Sequence, residues 1–308
     1  MKKNYLFLAL MALGGNLTLM SCANSETLTD EDLGSAAENT VIEDAVVADN
    51  GYTDAPSLDG QEVIFEDDFE NTTGIPDPEK WVLCEKTSST WARYLSESYD
   101  QAYTKDGSLF LIGEKSGDTY LTGGIETRGK FEFEHGTVLC RARFVEMPMG
   151  GHTGIWMMPA PPALQWPKSG EIDIMEHLNK EDQVYETVHS WYADDMGHKD
   201  DPVAQKVVAV NKDDWNIYGV EWTSEKISYT VNGQVYLEYP NLHLEGEDGD
   251  YQWPFNHDFY LILSQSLGGP GTWEGPIDDS ELPAVFEIDW IRVTQQKDSA
   301  GVPMITAD

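Results

Sequence analysis

The sequence predicts an all-β sandwich. Three observations carry this expectation. From Gln61 onward, short runs rich in Val, Ile, Phe, Tyr and Trp alternate with Gly, Pro, Asp and Asn clusters, the punctuation of strands and turns. The pair Asn232-Gly233 sits between two such runs and is a strong hairpin signal. No segment keeps apolar residues at helical spacing over several turns. In chain order the expected strands are Glu62–Phe65, Ser108–Ile112, Gly129–Phe133, Thr137–Phe144, Gly154–Met158, Glu171–Glu176, Tyr185–Tyr192, Asn216–Trp222, Ile227–Val231, Gln234–Tyr239, Phe259–Ser264 and Val285–Val293. About a dozen strands with turn signals between them point to a sandwich, and no internal repeat is evident.

Two segments precede the strands. Lys2 and Lys3 lead an apolar run from Tyr5 to Leu13 and on through Leu17 to Met20. It is too short and too Gly-interrupted for a good transmembrane helix, so residues 1–22 read as an export signal. Leu19-Met20-Ser21-Cys22 resembles a bacterial lipobox, which makes Cys22 the expected lipidated first residue of the mature chain. An ordinary signal peptide cut nearby is the alternative. The chain is expected to leave the cytoplasm either way, the lipid version holding it in the cell envelope at the outer membrane. Residues 23–60 carry ten acidic side chains and no Lys or Arg, the composition of a disordered, self-repelling tether. Residues 61–297 are then one domain and 298–308 a short polar tail.

The 308 residues include ten Trp and fourteen Tyr at 40% hydrophobic content, enough for a sizeable core. Such aromatic richness is core packing by default; it also suits proteins that stack flat rings on the apolar face of a sugar. The formal net charge of -36 excludes nucleic acid and anionic membrane surfaces as partners, and disfavours heavily sulfated or uronic-acid polymers. A neutral polymer bound by a monomer is the simpler match, with any membrane contact made through the lipid. With Cys22 lipidated, Cys84 and Cys140 remain, either paired or as two buried thiols. No Cys/His cluster has zinc-site spacing.

The chemistry concentrates in Gly170-Glu171-Ile172-Asp173-Ile174-Met175-Glu176. A strand sends alternate side chains to opposite faces, so Glu171 and Asp173 share one face while Ile172 and Ile174 enter a core. Glu176 has the wrong parity, and one extra residue, a β-bulge at Ile174-Met175, would return it to the face of Glu171. The two Glu would then stand roughly 13 Å apart at Cα. Their side chains lean together, and carboxyls at about 5–5.5 Å suit a retaining glycosidase. One ionised carboxylate attacks the anomeric carbon; the other gives a proton to the leaving oxygen and later takes one from water. Asp173 between them can hydrogen-bond the nucleophile and set which acid keeps its proton. A solvated polar face or a calcium site is the competing origin of such acids; Glu-x-Asp alone is weak, and the full pattern with apolar residues at every x is more specific.

That pattern resembles the catalytic signature of glycoside hydrolase family 16, in the bulged form of its laminarinase-like branch. Phe65-Glu66-Asp67-Asp68-Phe69, Gly124-Ile125-Glu126-Thr127, His135-Gly136-Thr137-Val138, Gly154-Ile155-Trp156-Met157-Met158, Trp166-Pro167, Tyr218-Gly219-Val220-Glu221-Trp222, Leu267-Gly268-Gly269 and Ile288-Asp289-Trp290-Ile291-Arg292-Val293 are similar to its other blocks. The resemblance implies a curved β-jelly-roll sandwich with the glycan lying in a concave cleft. It implies Glu171 as nucleophile, Asp173 as assisting acid and Glu176 as acid/base. Trp156 and Trp166 resemble aromatics that stack on sugars. His189 resembles an active-site His, against the alternative of a satisfied core His. Trp273 either caps the cleft or packs ordinarily. Catalysis in the family needs no cofactor. A structural calcium is implied far from the cleft, with Asp289 as a side-chain ligand and Gly107 supplying a carbonyl; a solvent-facing Asp is the alternative.

There are departures. Where laminarinase-like chains carry Asn-Leu-Ala-Val, this one has Ser264-Gln265-Ser266-Leu267, and Gln265 is expected to point into the cleft and read a hydroxyl or acetamido group. The charged segment 191–209 resembles a rim loop. Leu178 to Asp182 and Thr187 to Ser190 are closer to branches from gut Bacteroidetes, some cutting β-1,3- or mixed-linkage glucans and others the β-galactosyl linkages of poly-N-acetyllactosamine in mucin O-glycans. The departures favour the second group. The expected activity is thus an endo-acting retaining β-glycosidase. A glucanase, a transglycosylase and a non-catalytic glycan-binding lipoprotein are the rivals, the last having no need of all three acids.

Overall fold

The computed structural model describes residues 60–70, 74–163 and 165–297. The expected signal with Cys22, the acidic tether up to residue 59 and the tail 298–308 lie outside the described residues. The strands are β1 (Gln61–Asp67), β2 (Val82–Leu83), β3 (Ala102–Lys105), β4 (Ser108–Ser116), β5 (Thr119–Thr122), β6 (Gly124–Glu126), β7 (Gly136–Glu146), β8 (Gly151–Pro159), β9 (Glu171–Leu178), β10 (Gln183–His189), β11 (Gln205–Ala209), β12 (Asn216–Trp222), β13 (Lys226–Val231), β14 (Gln234–Pro240), β15 (Phe259–Leu267) and β16 (Ala284–Gln296). They form two antiparallel sheets of a jelly-roll. The back sheet runs β14-β13-β12-β7-β16-β4-β3, with β1 on β16 and β5 on β4; the cleft sheet runs β11-β10-β9-β8-β15-β6-β2.

Alternation explains how these sequences make layers. On β7, Val138, Cys140, Ala142 and Phe144 are buried, while Arg141 and Arg143 turn outward and lie over the Trp215 ring at 4.6 and 4.5 Å. On β8 and β15 of the cleft sheet, Ile155, Met157, Leu261 and Leu263 join the core between the sheets. The residues that alternate with them, Trp156, Met158, Tyr260 and Ile262, join Cys84, Leu95 and Trp91 in a second cluster on the opposite face. Each fully buried large aliphatic or Phe side chain in such clusters contributes about 1.5–3 kcal/mol. The cleft sheet is therefore apolar on both faces, and the second face carries the site.

At the expected hairpin, Asn232 and Gly233 take φ of 51° and 80° between the paired Val231 and Gln234. Asn232 Oδ1 also accepts the Ile217 N–H at 2.8 Å, tying the turn to β12. Cys84 and Cys140 are buried free thiols in different clusters.

Three expectations need correction. Residues 129–133 form no strand: only Phe133 bridges Phe259, and the Phe131 and Phe133 rings stack in series with Phe65. The hydrophobic content of this segment mimics a strand, but it serves ring stacking rather than a ladder. The strand begun at Tyr185 stops at His189, because Ser190 Oγ accepts the Ala193 N–H at 3.1 Å and caps a one-turn helix, α1 (Trp191–Asp194). The charged segment that follows is not all rim loop. It ends in β11, an edge strand on β10 whose polar residues hid the alternation around buried Val208.

Candidate active site

The register of β9 carries the geometry. Against β8, Met157 faces Ile172 and Trp156 faces Asp173, but Ile155 faces Met175. Against β10, His189 faces Glu171, Thr187 faces Asp173 and Tyr185 faces Glu176, leaving Glu186 alone opposite Ile174 and Met175. This is a β-bulge at Ile174–Met175. It turns Ile172, Ile174 and Met175 into the core at 0% exposure and leaves Glu171, Asp173 and Glu176 on the other face. Gly170 feeds the strand with φ +80°, and a Cβ there would stand 2.6 Å from a Phe255 ring carbon, so only glycine fits.

Those three carboxylates line an open depression of about 300 Å³ with Trp91, His152, Gly154, Trp156 and Ser264. Trp156 is the floor. It is 7% exposed, its indole donates to Ser264 Oγ at 3.1 Å, and Trp91 packs edge-to-face on it at 4.8 Å. Trp91, which the sequence did not single out, packs against Trp156 and lines the same depression. The open rings are Trp166, 55% exposed, and Trp273, 51% exposed.

At the first end of the acid strand, Trp166 donates its indole N–H to Glu171 Oε2 at 2.5 Å. His189 Nε2 lies 3.3 Å from Asp173 Oδ2, and its Nδ1 lies 3.0 Å from Asp194 Oδ2. The capped turn of α1 brings Asp194 back over the end of β10, where Lys199 Nζ also reaches it at 3.1 Å. Burial opposes charge on His189, but the bond to Asp194 and the field of Glu171 outweigh it and hold the imidazole above its usual value. Burial raises Asp173 well above the carboxylate range, and the neighbouring Glu171 and Glu176 push it further. Burial also raises Glu171, opposed by His189 and by the hydrogen bond from Asp173. A protonated Asp173 donating to an ionised Glu171 satisfies these effects together.

At the second end, His152 Nε2 lies 3.1 Å from Glu176 Oε1 and its Nδ1 lies 3.3 Å from Glu274 Oε1. Burial works against its charge, yet the bonds to Glu176 and Glu274 carry the imidazole up to about 9. Burial would raise Glu274, but the bonds from His152 and Thr272 take it down to about 2. Trp273 packs on His152 at 5.7 Å and on Tyr185 at 5.0 Å. The sequence reading missed His152, Glu274 and Asp194. His152 stands two and four residues before Gly154 and Trp156 on one strand face, a signal available in the parity of β8.

Gln265 is also corrected. It is fully buried, and its amide donates to the carbonyls of His152 and Ser266 at 3.1 and 2.8 Å. On β15 the cleft parity belongs to Ser264 and Ser266, so Gln265 points between the sheets. Far from the cleft, Asp289 is ion-paired with Arg141. Gly107 lies in the β3–β4 turn, where the Glu70 carboxylate packs so closely that a Cβ would meet Oε1 at 2.7 Å. Among the described residues, the one group of three side chains spaced to hold a metal is Glu171, Asp173 and His189. Arg141 supplies a positive charge at Asp289.

The model of glycosyl hydrolases family 16 matches residues 89–292. A keratan-sulfate endo-1,4-beta-galactosidase of Sphingobacterium multivorum is 32% identical over 305 residues, 95% of this chain and 68% of that protein. A beta-glucanase of Rhodothermus marinus is 31% identical over 248 residues, 75% of this chain and 84% of that protein. Among solved structures, one from work on endo-acting O-glycanases that prominent human gut microbes express to initiate mucin breakdown aligns at a TM-score of 0.68. It is 32% identical, over 75% of this chain and 98% of that one. The laminarinase from Rhodothermus marinus aligns at 0.67 with 28% identity, over 77% of this chain and 98% of that one.

Proposed function

This chain belongs to glycosyl hydrolases family 16 and is an endo-acting glycoside hydrolase; we propose that it cuts internal β-galactosyl linkages of poly-N-acetyllactosamine in mucin-type O-glycans, with retention. The observation that carries the chemistry is the bulge that sets Glu171, Asp173 and Glu176 on one face of one depression. Glu171 attacks the anomeric carbon as the bond to the glycosidic oxygen breaks, and Glu176 gives its proton to that departing oxygen. Glu176 then takes a proton from water, whose oxygen attacks the same carbon and releases Glu171. Asp173 donates to Glu171 and withdraws as the ester forms. Exposed Trp166 beside Glu171 and exposed Trp273 beyond His152 leave stacking surfaces at both ends of the acids, which suits a polymer running past them.

For the substrate, the support is the match over 95% of the chain to the endo-galactosidase and the likeness to the O-glycanase. The net charge of -36 favours unsulfated stretches of such chains. A β-glucanase is the second reading, supported by the relative that this chain covers over 84% of its length. The test is a product screen on laminarin, barley β-glucan, agarose, keratan and mucin O-glycans, with the released oligosaccharides sized. Fragments from keratan and mucin glycans are expected; fragments from the glucans alone would reject the galactosyl preference.

A further inference from the structure

We infer that His152 and Glu274 are positioning residues for Glu176, holding one of its oxygens so that its transferable proton is confined to the other. The inference rests on the hydrolase reading above, in which Glu176 is the acid/base.

The ring of His152 stands between two carboxylates, one on each nitrogen. Two acceptors are both satisfied only when both nitrogens carry a proton. Nε2–H then donates to Glu176 Oε1, and any proton that Glu176 carries must sit on Oε2. The clamp is built rather than incidental. The Glu274 side chain is 5% exposed and that of His152 13%. Gly268 lets the loop after β15 close onto the cleft sheet: a Cβ there would meet Glu274 Cβ at 2.6 Å. Ser266 Oγ lies 3.1 Å from Nδ1 and 3.3 Å from the His152 carbonyl, and Trp273 covers the ring edge. Gly154, opposite Glu176, leaves room for the Trp156 ring, whose Cδ1 a Cβ there would meet at 3.0 Å.

The other titratable groups near the ring do not compete for it. The Tyr185 hydroxyl on β10 donates to Glu181 at 2.9 Å. His177, further along β9 on the core side, is kept neutral by burial, which takes it down to about 4. Glu176 and Glu274 are thus the acids that face His152. The cation serves both half-reactions: it fixes the donor oxygen in the first and favours the ionised base in the second.

The test uses Glu274→Gln, an isosteric change that removes one charge. Removing a neighbouring anion lowers the pH at which His152 gives up its proton. The alkaline limb of kcat/KM on the natural glycan should move down by about half a pH unit or more, with kcat reduced about tenfold and KM little changed. An aryl β-glycoside with a dinitrophenolate leaving group, built on the oligosaccharide the screen releases, needs no proton on departure and should lose less than about threefold in its first step. Glu176→Gln is the reference. If it fails to show this leaving-group selectivity, the hydrolase reading itself falls. If Glu176→Gln is selective while Glu274→Gln loses activity equally on both substrates, or keeps an unmoved alkaline limb, the positioning role is overturned. Should Glu274→Gln not fold by circular dichroism, His152→Gln is judged by the same substrate selectivity.

Discussion

The two ends of the acid strand are built alike and were unequally visible. At one, Glu171 and Asp173 meet His189, backed by Asp194; at the other, Glu176 meets His152, backed by Glu274. Each carboxylate end has an imidazole whose far nitrogen rests on a second acid. Their surroundings differ. Burial raises both Asp173 and Glu171; the neighbouring acids push Asp173 further, while His189 and the hydrogen bond from Asp173 hold Glu171 back. At the Glu176 end the imidazole also stands between two acids, and there the cation is carried up to about 9. The first arrangement shares a proton beside a nucleophile, and the second secures a donor that must be reloaded each turnover.

The largest expected effect breaks this pairing at its first end. Glu171→Gln should lower turnover at least about a thousandfold on every substrate, activated aryl glycosides included, because no carboxylate is left to form the ester. The measurement is released reducing ends on the glycan that the screen identifies. A variant within tenfold of the parent would remove Glu171 from the nucleophile's place. This contrasts with the leaving-group selectivity expected at the Glu176 end.

A smaller change asks whether the ends act independently. Asp194→Asn should lower turnover about tenfold by freeing His189, and should move the His189 titration to lower pH while leaving that of His152 in place. Imidazole NMR shifts against pH read both rings. If the pairs are separate devices, the losses from Asp194→Asn and Glu274→Gln multiply in the double variant. A double loss no greater than the larger single one would show a single coupled network.

How much of this the sequence disclosed follows from distance along the chain. The bulge was readable because parity is local: Glu176 cannot share a face with Glu171 on a regular strand, and the apolar residues at 172, 174 and 175 declare which side is core. His189 was readable from its place on the next strand. Gln265 was misread because facing on β15 depends on register with β8, which no local pattern states. Glu274 arrives from a loop more than a hundred residues after His152, on the strength of a close approach at Gly268. Asp194 depended on a one-turn helix too short to leave a periodic signature. Pairings made by strand parity were open to inspection; those made by loop closure were not.

The smallest expected effect on turnover lies between the two ends, beneath the bulge. Glu186 faces Ile174 and Met175 from β10, is fully buried, and has no hydrogen-bond partner on either carboxyl oxygen. Burial lifts its carboxyl from 4.5 to about 8, with only Lys206 pulling the other way. Between those two pH values the folded chain holds a proton that the unfolded chain has lost, so stability falls as pH rises from about 4.5 to 8 and then levels off. Glu186→Gln removes that slope. Relative to the parent, the melting temperature of the variant should rise by several degrees between pH 4.5 and pH 9, a change on the order of 3–5 kcal/mol, and any cost of the unpaired amide shifts the whole curve equally. His152 loses its own contribution between about 6.5 and 9, but it does so in both proteins, so the difference between their curves isolates Glu186. Turnover per folded molecule should not change, since the side chain points away from the carboxylates. A difference curve that is flat from pH 4.5 to 9 would mean that Glu186 is charged and partnered, and that the bulge is held from below as well as from its two ends.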